Sequence, residues 1–585
     1  MPKVHIFTRI LLSLVTCALI AQDDFEIVQA KGTITVDGIM NEPDWSVAAV
    51  ATDFQQYFPS DSILAKVQTE VRMTYDKNQL YIIAKMYNLG EREYVTPSLR
   101  RDFRGEANDV FTVVLDTYAD RNNAFLFGVN PFGVQREGLI ANGGSVANDN
   151  TFSTGWDNVW YSAARRFDGF WMVEMAIPFK TLRYKKGSPF WYVNFYRFDS
   201  TYAEQSTWSP IPQNQFIINL AFSKKLYWKR PLDESQSNLS FIPYSTFRNT
   251  KDFIADTPTD HEFNLGADAK VGIGPALTLD LTVNPDFSQV EVDQQVTNLD
   301  RFEIFFPERR QFFLENADLF GNYGLEGTRP FFSRRIGVTV DPVTGQNSQS
   351  TIYGGLRLNG KLNQKLRVGL LNAQLEQNEA SSVPSTNFLV MAAEHRLLSR
   401  SYLSAFFINK QAFSDDIDGR FTLSPSVYNR TMGVDVNLAS NDNIWNGKFF
   451  YHRSFDEVER NSEFATGGFL NYNTYRWQTG VTALSIGRGF NPEVGFRRRR
   501  NVFQATPLEL LNLKPKSGRL QSYGPGISGD WSMETMNFSK LDRNSGVGYS
   551  MNLRNTALFK FSAKRQYTFL LDPFEPSGLN GRPLE

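Results

Sequence analysis

The chain has 585 residues, too many for one ordinary domain, so two or more units are expected. Its 61 basic and 62 acidic residues leave a net charge of −1, which gives no global reason to expect a nucleic-acid partner. Aromatic residues make up 14%, with 49 Phe and 23 Tyr, a content suited to strands, barrel girdles and sugar-stacking surfaces.

Residues 1–21 read as a secretory signal peptide: Lys3 and Arg9 form a basic n-region, Ile10 to Ala21 an apolar core, and cleavage is expected after Ala21. A lipoprotein reading of Leu14-Val15-Thr16-Cys17 is weaker, because Thr is a poor residue before the cysteine and the apolar run continues past it. Cys17 is the only cysteine, so the mature chain is expected to hold no disulfide, thiolate nucleophile or Cys-ligated metal. No later run reaches the roughly eighteen apolar residues of a helical membrane span.

The first unit, 23–230, is written in short strand candidates: Leu80 to Tyr87, Val110 to Asp116, and Trp171 to Ile177. Turn residues separate them, as at Asp76-Lys77-Asn78, Asp120-Arg121-Asn122-Asn123 and Asp168-Gly169. Few segments read as helix, and a jelly-roll-like β-sandwich fits best. A polar linker, 231–238, opens the second unit, 231–585.

That unit alternates apolar and polar residues. Met432, Val434, Val436 and Leu438 fall on one face, and Thr431, Gly433, Asp435 and Asn437 on the other. Val547, Tyr549, Met551 and Leu553 do the same against Gly548, Ser550, Asn552 and Arg554, and Trp445, Phe449 and Tyr451 against Asn446, Lys448 and His452. Ile352, Gly354, Leu356 and Leu358 are expected to face opposite to Tyr353, Arg357, Asn359 and Lys361, while Ser401 to Phe413 has mixed faces. Period two means strand. Strands of about ten residues, apolar outside and polar inside, are what a transmembrane antiparallel β-barrel needs, since lipid leaves no backbone group unpaired. About fourteen strands are expected from that spacing. A soluble sandwich would alternate too, but it would not place basic and amide residues on nearly every polar face. The end, Gly578 to Glu585, is not a strand with a terminal aromatic, so the barrel is expected to be incomplete alone. Segment 284–349 is charged and aromatic together, and is expected to fold inward or cap the barrel.

Asp37-Gly38-Ile39-Met40-Asn41-Glu42-Pro43-Asp44-Trp45 resembles the opening of family 9 carbohydrate-binding modules, and Asn108-Asp109-Val110, Trp156-Asp157-Asn158-Val159-Trp160 and Glu174-Met175-Ala176-Ile177-Pro178-Phe179 follow in matching order over most of 30–225. Asn284-Pro285-Asp286-Phe287-Ser288-Gln289-Val290-Glu291, Phe306-Pro307-Glu308-Arg309-Arg310-Gln311-Phe312-Phe313 and Phe490-Asn491-Pro492-Glu493-Val494-Gly495-Phe496 resemble the barrel-forming domain of unknown function that follows such modules in outer-membrane proteins of Bacteroidetes-type bacteria. The resemblance implies an exported outer-membrane protein with a glycan clamped between aromatic faces.

Stacking a sugar needs flat aromatic faces with polar groups at the ring's edge. Trp208, in the polar context Gln205-Ser206-Thr207-Trp208-Ser209-Pro210, and Trp156 are the leading candidates, with Trp160 and Tyr87 beside them and Arg101 or Asp109 to bond hydroxyls. Trp45 and Trp171 are expected in the core. Asp116, Asp120, Asn122 and Asn123 crowd a strand-to-turn junction with oxygens suited to calcium, or are plain turn formers. Between Ala21 and Arg230 there is no histidine, which removes histidine-ligated zinc and Ser-His-Asp chemistry from the first unit. His261, His395 and His452 lie on separate barrel strands. A glycosidase would need a spaced carboxylate pair, and no spacing among Asp102, Glu106, Asp109, Glu137, Asp157 and Glu174 singles one out. Arg497-Arg498-Arg499-Arg500 would line the lumen or mark a strand end at the rim; Arg309 and Arg310 beside Glu308 and Glu315 would pin the inserted segment. The expected function is capture of a polysaccharide or oligosaccharide at the outer membrane, with outer-membrane lipid as the second partner. The alternatives are a non-binding plug or docking platform for another envelope protein, and glycoside hydrolysis.

Overall fold

A computed structural model describes residues 25–569 except 92, 146–150, 233–238, 252, 254–257, 275, 286–304, 307, 315, 341–346, 378–383, 416–420 and 459–460. The expected signal peptide with Cys17, most of the linker, the Asp286–Glu291 part of the second motif, Glu315 and the C-terminal residues 570–585 lie outside it. The fold is all-β: a β-sandwich followed by an antiparallel β-barrel sheet.

In the sandwich, Val110–Asp116 is buried at every position, between Phe190–Asp199 and Ala124–Val129. Gln79–Tyr87 lies between Thr69–Tyr75 and Phe170–Pro178. These runs do not alternate because both faces of each sheet are covered. The central core holds Trp171, Trp191, Phe127 and Phe195. One outer face is sealed by Ile217, Ile218 and Leu220, the other by Ile34 and Trp45. Trp45 and Trp171 are core residues, at 1% and 0% exposure. Phe25–Gln29 ties the layers together, since Phe25 to Ile27 pair with Leu226 to Trp228 while Val28 and Gln29 pair with Thr74 and Tyr75.

The opening motif has an architectural role. The Asp37 and Gly38 amides donate to Glu174 Oε2 at 2.9 and 3.0 Å, and Lys31 and Gly32 amides donate to the Asp44 carboxylate. Gly38 sits at φ +79°, where a Cβ would also press on Arg165. Burial raises the Glu174 carboxyl to about 7, against the two amides that pull it down. A raised carboxyl contributes stability that is fully present below its ordinary value near 4.3 and lost as pH rises through about 7. Glu174→Gln should therefore flatten the fall in the tryptophan-detected melting temperature between pH 5 and pH 8; an unchanged slope would refute that role.

Among the described residues the second sheet has fifteen strands, from Leu239–Thr250 to Leu558–Thr568, each antiparallel to its neighbours in the sheet. Fifteen replaces the expected count of about fourteen. Among the described residues, the first and last strands are not paired to each other. Thr431, Asp435, Lys448 and His452 are buried inward, whereas Met432, Val434, Phe449 and Tyr451 are 42–49% exposed on the outer face, as the alternation requires.

Two expectations fail locally. Ile352 is buried and Tyr353 exposed, while Arg357 and Asn359 face inward, because a register shift between Ile352 and Gly354 changes which parity faces the lumen. The interior is also apolar over part of its wall. Leu371, Ala373, Leu375, Phe388, Val390, Phe406 and Ile408 pack against Phe313, Leu319, Phe320, Tyr323 and Phe331 of the inserted segment. The mixed faces of Tyr402–Asp415 follow: protein, rather than water, fills this part of the lumen.

The described part of that segment, 305–340, runs inside the sheet. Phe312 lies against Gly355, Phe320 against Gly369, and Tyr323 stacks on Phe406 at 4.5 Å. The Gly324 amide donates to Asp435, and Lys448 donates to the Asn322 carbonyl. One short segment touching strands from Ile352–Lys361 through Trp445–Asp456 on the same face requires the sheet to curl around it. Within the segment, Arg310 pairs with Glu308 at 2.7 Å and donates to the Ser333 and Ile336 carbonyls. Of the Arg309 and Arg310 pair expected to pin the segment, Arg310 makes these contacts inside the segment itself.

Candidate functional site at the sandwich–barrel junction

The barrel has one mouth with short connections (274–276, 362–365, 397–401, 440–444, 474–476, 512–519 and 554–557) and one with longer ones, including 284–351 and 487–501. The sandwich is bonded to the short-turn mouth, which is also where the first barrel strand begins. Five successive turns take part. Asp120 is ion-paired with Lys361 and, at 3.1 Å, with Arg396. Asn142 Oδ1 accepts from Tyr402 Oη at 2.8 Å. Gln215 accepts from Asn443 at 2.9 Å, and the Asn214 and Asn473 side chains bond at 3.0 Å. Asp61 pairs with Lys514 at 2.9 Å.

Asn142 also accepts from Asn322 of the inner segment at 2.6 Å, so one amide oxygen joins sandwich, segment and barrel. Its placement depends on a tight turn. Gly143 and Gly144 have φ of +67° and +64°, and a Cβ on Gly144 would lie 2.2 Å from the Ile218 carbonyl oxygen.

The residues expected to bind calcium lie at this junction with their oxygens otherwise engaged. Asp116 accepts the Asp120 and Arg121 amides; Asp120 Oδ1 accepts those of Asn122 and Asn123, and its Oδ2 faces Lys361 and Arg396. The positive charge comes from two side chains of the barrel. Burial and the neighbouring Asp120 push the Asp116 carboxyl up. For Asp120 burial acts in the same sense but is outweighed by the charges of Lys361 and Arg396, which hold it below the usual range.

The expected sugar-stacking set is placed differently from its sequence context. Trp208, Trp156 and Trp160 are 6%, 3% and 4% exposed and belong to the central core, which removes the exposed faces that stacking needs. Trp208 packs on Phe25 and Phe195, and its polar neighbours Thr207 and Ser209 are buried with it, so polar context here does not mean exposure. Asp109 is buried too, accepting the Val95 and Ser200 amides at 2.8 Å as a loop clasp. Tyr87 is half-buried, donates to Glu70 at 2.8 Å and packs near Phe170. Arg101 is 41% exposed but committed to Glu137, whose other oxygen accepts from Trp160 Nε1 at 3.1 Å. The structure thus brings Arg101, Glu137 and Trp160 together and leaves Tyr87 and Trp208 apart from them. Burial is the main force raising the Glu137 carboxyl.

Sequence reasoning named Trp160 but missed the open cleft of about 480 Å³ that it borders with Gln79, Tyr81, Gln135, Tyr161 and Ser162, where Tyr161 is 55% exposed. It also missed the junction residues Asn142, Asn214 and Gln215. Their turn chemistry was readable, but their partners lie far along the chain.

The family model described as Domain of unknown function (DUF5916) matches residues 236–581. No curated protein matches the chain. A family 9 carbohydrate-binding module from Caldicellulosiruptor kristjanssonii, solved with cellotriose, is similar at 15% identity over 35% of this chain and 94% of its own, with a TM-score of 0.25. A putative carbohydrate-binding protein from Bacteroides uniformis is similar at 14% identity over 35% and 98%, with a TM-score of 0.29. OccAB2 from Acinetobacter baumannii is similar at 9% identity over 79% and 98%, with a TM-score of 0.22. At these scores the fold rests on the strand pairing above.

Proposed function

The chain belongs to the DUF5916 family, and from that footing we propose that it is an outer-membrane barrel carrying its own inner plug, with its sandwich held across the periplasmic mouth. The observation that carries this reading is the series of five short turns on one mouth, each bonded to the sandwich. In bacterial outer-membrane barrels the short turns are periplasmic and the longer loops extracellular. The outward band that includes Met432, Val434, Phe449 and Tyr451 is what a lipid contact requires. A calcium ion at the Asp120 turn would have to displace the Lys361 ammonium.

Protease accessibility tests the orientation. In intact cells the sandwich should resist added trypsin, and it should be digested once the outer membrane is permeabilised. Digestion in intact cells would place it on the opposite side and refute the reading.

A second reading, glycan capture, is favoured by the Tyr161 cleft, where an exposed ring borders Gln79, Gln135 and Ser162. Loss of glycan-array binding in Tyr161→Ala, with Trp208→Ala also examined, would support it; a silent wild-type protein would remove it.

A further inference from the structure

One loop of the sandwich carries Ile63 and Leu64 side by side, 47% and 53% exposed, with Phe58 exposed on its other arm. The arms are fixed to each other, since the Gln56 amide donates to the Ile63 carbonyl at 3.0 Å and Gln55 bridges Leu64. The tip between them, Pro59-Ser60-Asp61-Ser62, is polar. Apolar residues scattered singly over a surface are ordinary, whereas a fixed group beside polar residues points to a contact.

The bonds of the tip set its place. Asp61 Oδ2 accepts from Lys514 at 2.9 Å and from the Gln213 amide at 3.0 Å, and its Oδ1 accepts from Tyr475 Oη at 3.3 Å. Gln213 also donates to the Pro59 carbonyl at 2.9 Å, and the Lys514 ammonium lies 3.9 Å over the Tyr475 ring. Lys514 and Tyr475 belong to two of the short turns, 512–519 and 474–476. Such turns join neighbouring strands of the wall, so a loop clasped to two of them stands over the wall and not over the bore.

The wall beneath carries the marks of a lipid boundary. Trp445, Tyr475 and Trp477 are exposed at this end of their strands, and the Trp445 ring lies 4.7 Å from that of Tyr472. Aromatic rings at the strand ends of an outer-membrane barrel form the girdle at headgroup level. Exposed Val481, Ile527 and Val547 continue the apolar outer face toward mid-strand. The 512–519 turn also presents Lys516 and Arg519, both exposed, and cations at that level suit headgroup phosphates.

We propose that Phe58, Ile63 and Leu64 form a membrane foot of the sandwich. They enter the headgroup layer of the phospholipid leaflet around the short-turn mouth, while Asp61 fixes the loop to the barrel. The partner is the phospholipid surface, where these side chains leave water and the Asp61 bonds stay intact. The inference rests on the outer-membrane reading, which a label on the outer band of the barrel tests separately.

The experiment uses the full-length protein with Cys17→Ser, which leaves no cysteine in the chain. Ile63→Cys, Leu64→Cys, Val434→Cys and Val47→Cys are each labelled with an environment-sensitive fluorophore and reconstituted into phosphatidylcholine vesicles. The vesicles contain lipid spin-labelled either near the headgroup or near the acyl terminus. Val434 lies on the outer band, and Val47 is exposed beside Trp45, on the sandwich face opposite Ile217 and Ile218. Labels at 63 and 64 should shift to the blue and lose emission to the headgroup spin label more than to the deep one. The label at 434 should be quenched, and the label at 47 should keep its emission. Unquenched labels at 63 and 64 beside a quenched label at 434 would overturn the foot alone, and a blue shift there without quenching would assign a protein cover instead. Quenching at 47 equal to that at 63 would also overturn it. An unquenched label at 434 would remove the outer-membrane reading and the foot together.

Discussion

Asp120→Ala should separate the sandwich from the barrel. Asp120 is 2% exposed, and its partners Lys361 and Arg396 are 11% and 29% exposed, so the substitution leaves two largely buried cations without their shared carboxylate. Breaking a buried pair by removing one partner costs about 3–5 kcal/mol. At about 1.4 kcal/mol per tenfold, that is roughly two to three and a half orders of magnitude in association. With a protease site placed in linker 233–238, the cleaved wild-type halves should co-elute on size exclusion and the Asp120→Ala halves should elute apart. The swap of Asp120→Lys with Lys361→Asp should restore part of the association. Co-elution of the Asp120→Ala halves would sink the clamp.

Acid should act through the same group. Its carboxyl is held below the ordinary value, so its stabilisation is present above about pH 4 and lost as pH falls through the depressed value. The cleaved wild-type halves should stay together at pH 5 and 7 and come apart progressively as pH falls from about 4 to about 2. Asp116, pushed upward, acts with the opposite sign and is already protonated in that acid range.

The second large effect is expected at Asp435. This fully buried carboxylate accepts the Gly324 amide at 2.8 Å and bonds His452 at 2.7 Å, with Lys448 at 3.4 Å. Asp435→Ala would strand a buried ammonium and an amide donor, again at about 3–5 kcal/mol, and free the inner segment at its tightest turn. Gly324 has φ +69° and a Cβ there would lie 2.2 Å from the Thr328 carbonyl oxygen, so Gly324→Ala should act in the same direction by a different route. In planar bilayers both variants should show conductance several-fold above wild type. Wild-type conductance in both, with lowered melting temperatures, would mean that the segment does not occlude the bore.

The clamp at the mouth depends on residues whose local context looks ordinary. Asp120 and Asn122 have turn spacing, and a turn with acidic and amide oxygens suits calcium as well as it suits a backbone clasp. What separates the two readings is Lys361, distant in sequence and invisible to any local pattern. Trp208 shows the converse: its neighbours are polar, yet they and its ring are buried together.

Strand identity and the fold class, a sandwich and a barrel, were readable in the chain itself. Period-two alternation and turn residues act over a few positions, and a strand such as Val110–Asp116 has the expected ends. Tertiary structure alone decided which face of each strand meets water, lipid or protein. A bulge after Ile352 changes face parity, the inner segment makes part of the lumen apolar, and the sandwich selects the short-turn mouth. Each of these outcomes depends on groups far apart in the chain that share one buried volume, where an unpaired charge or an unfilled space is costly whatever the local sequence.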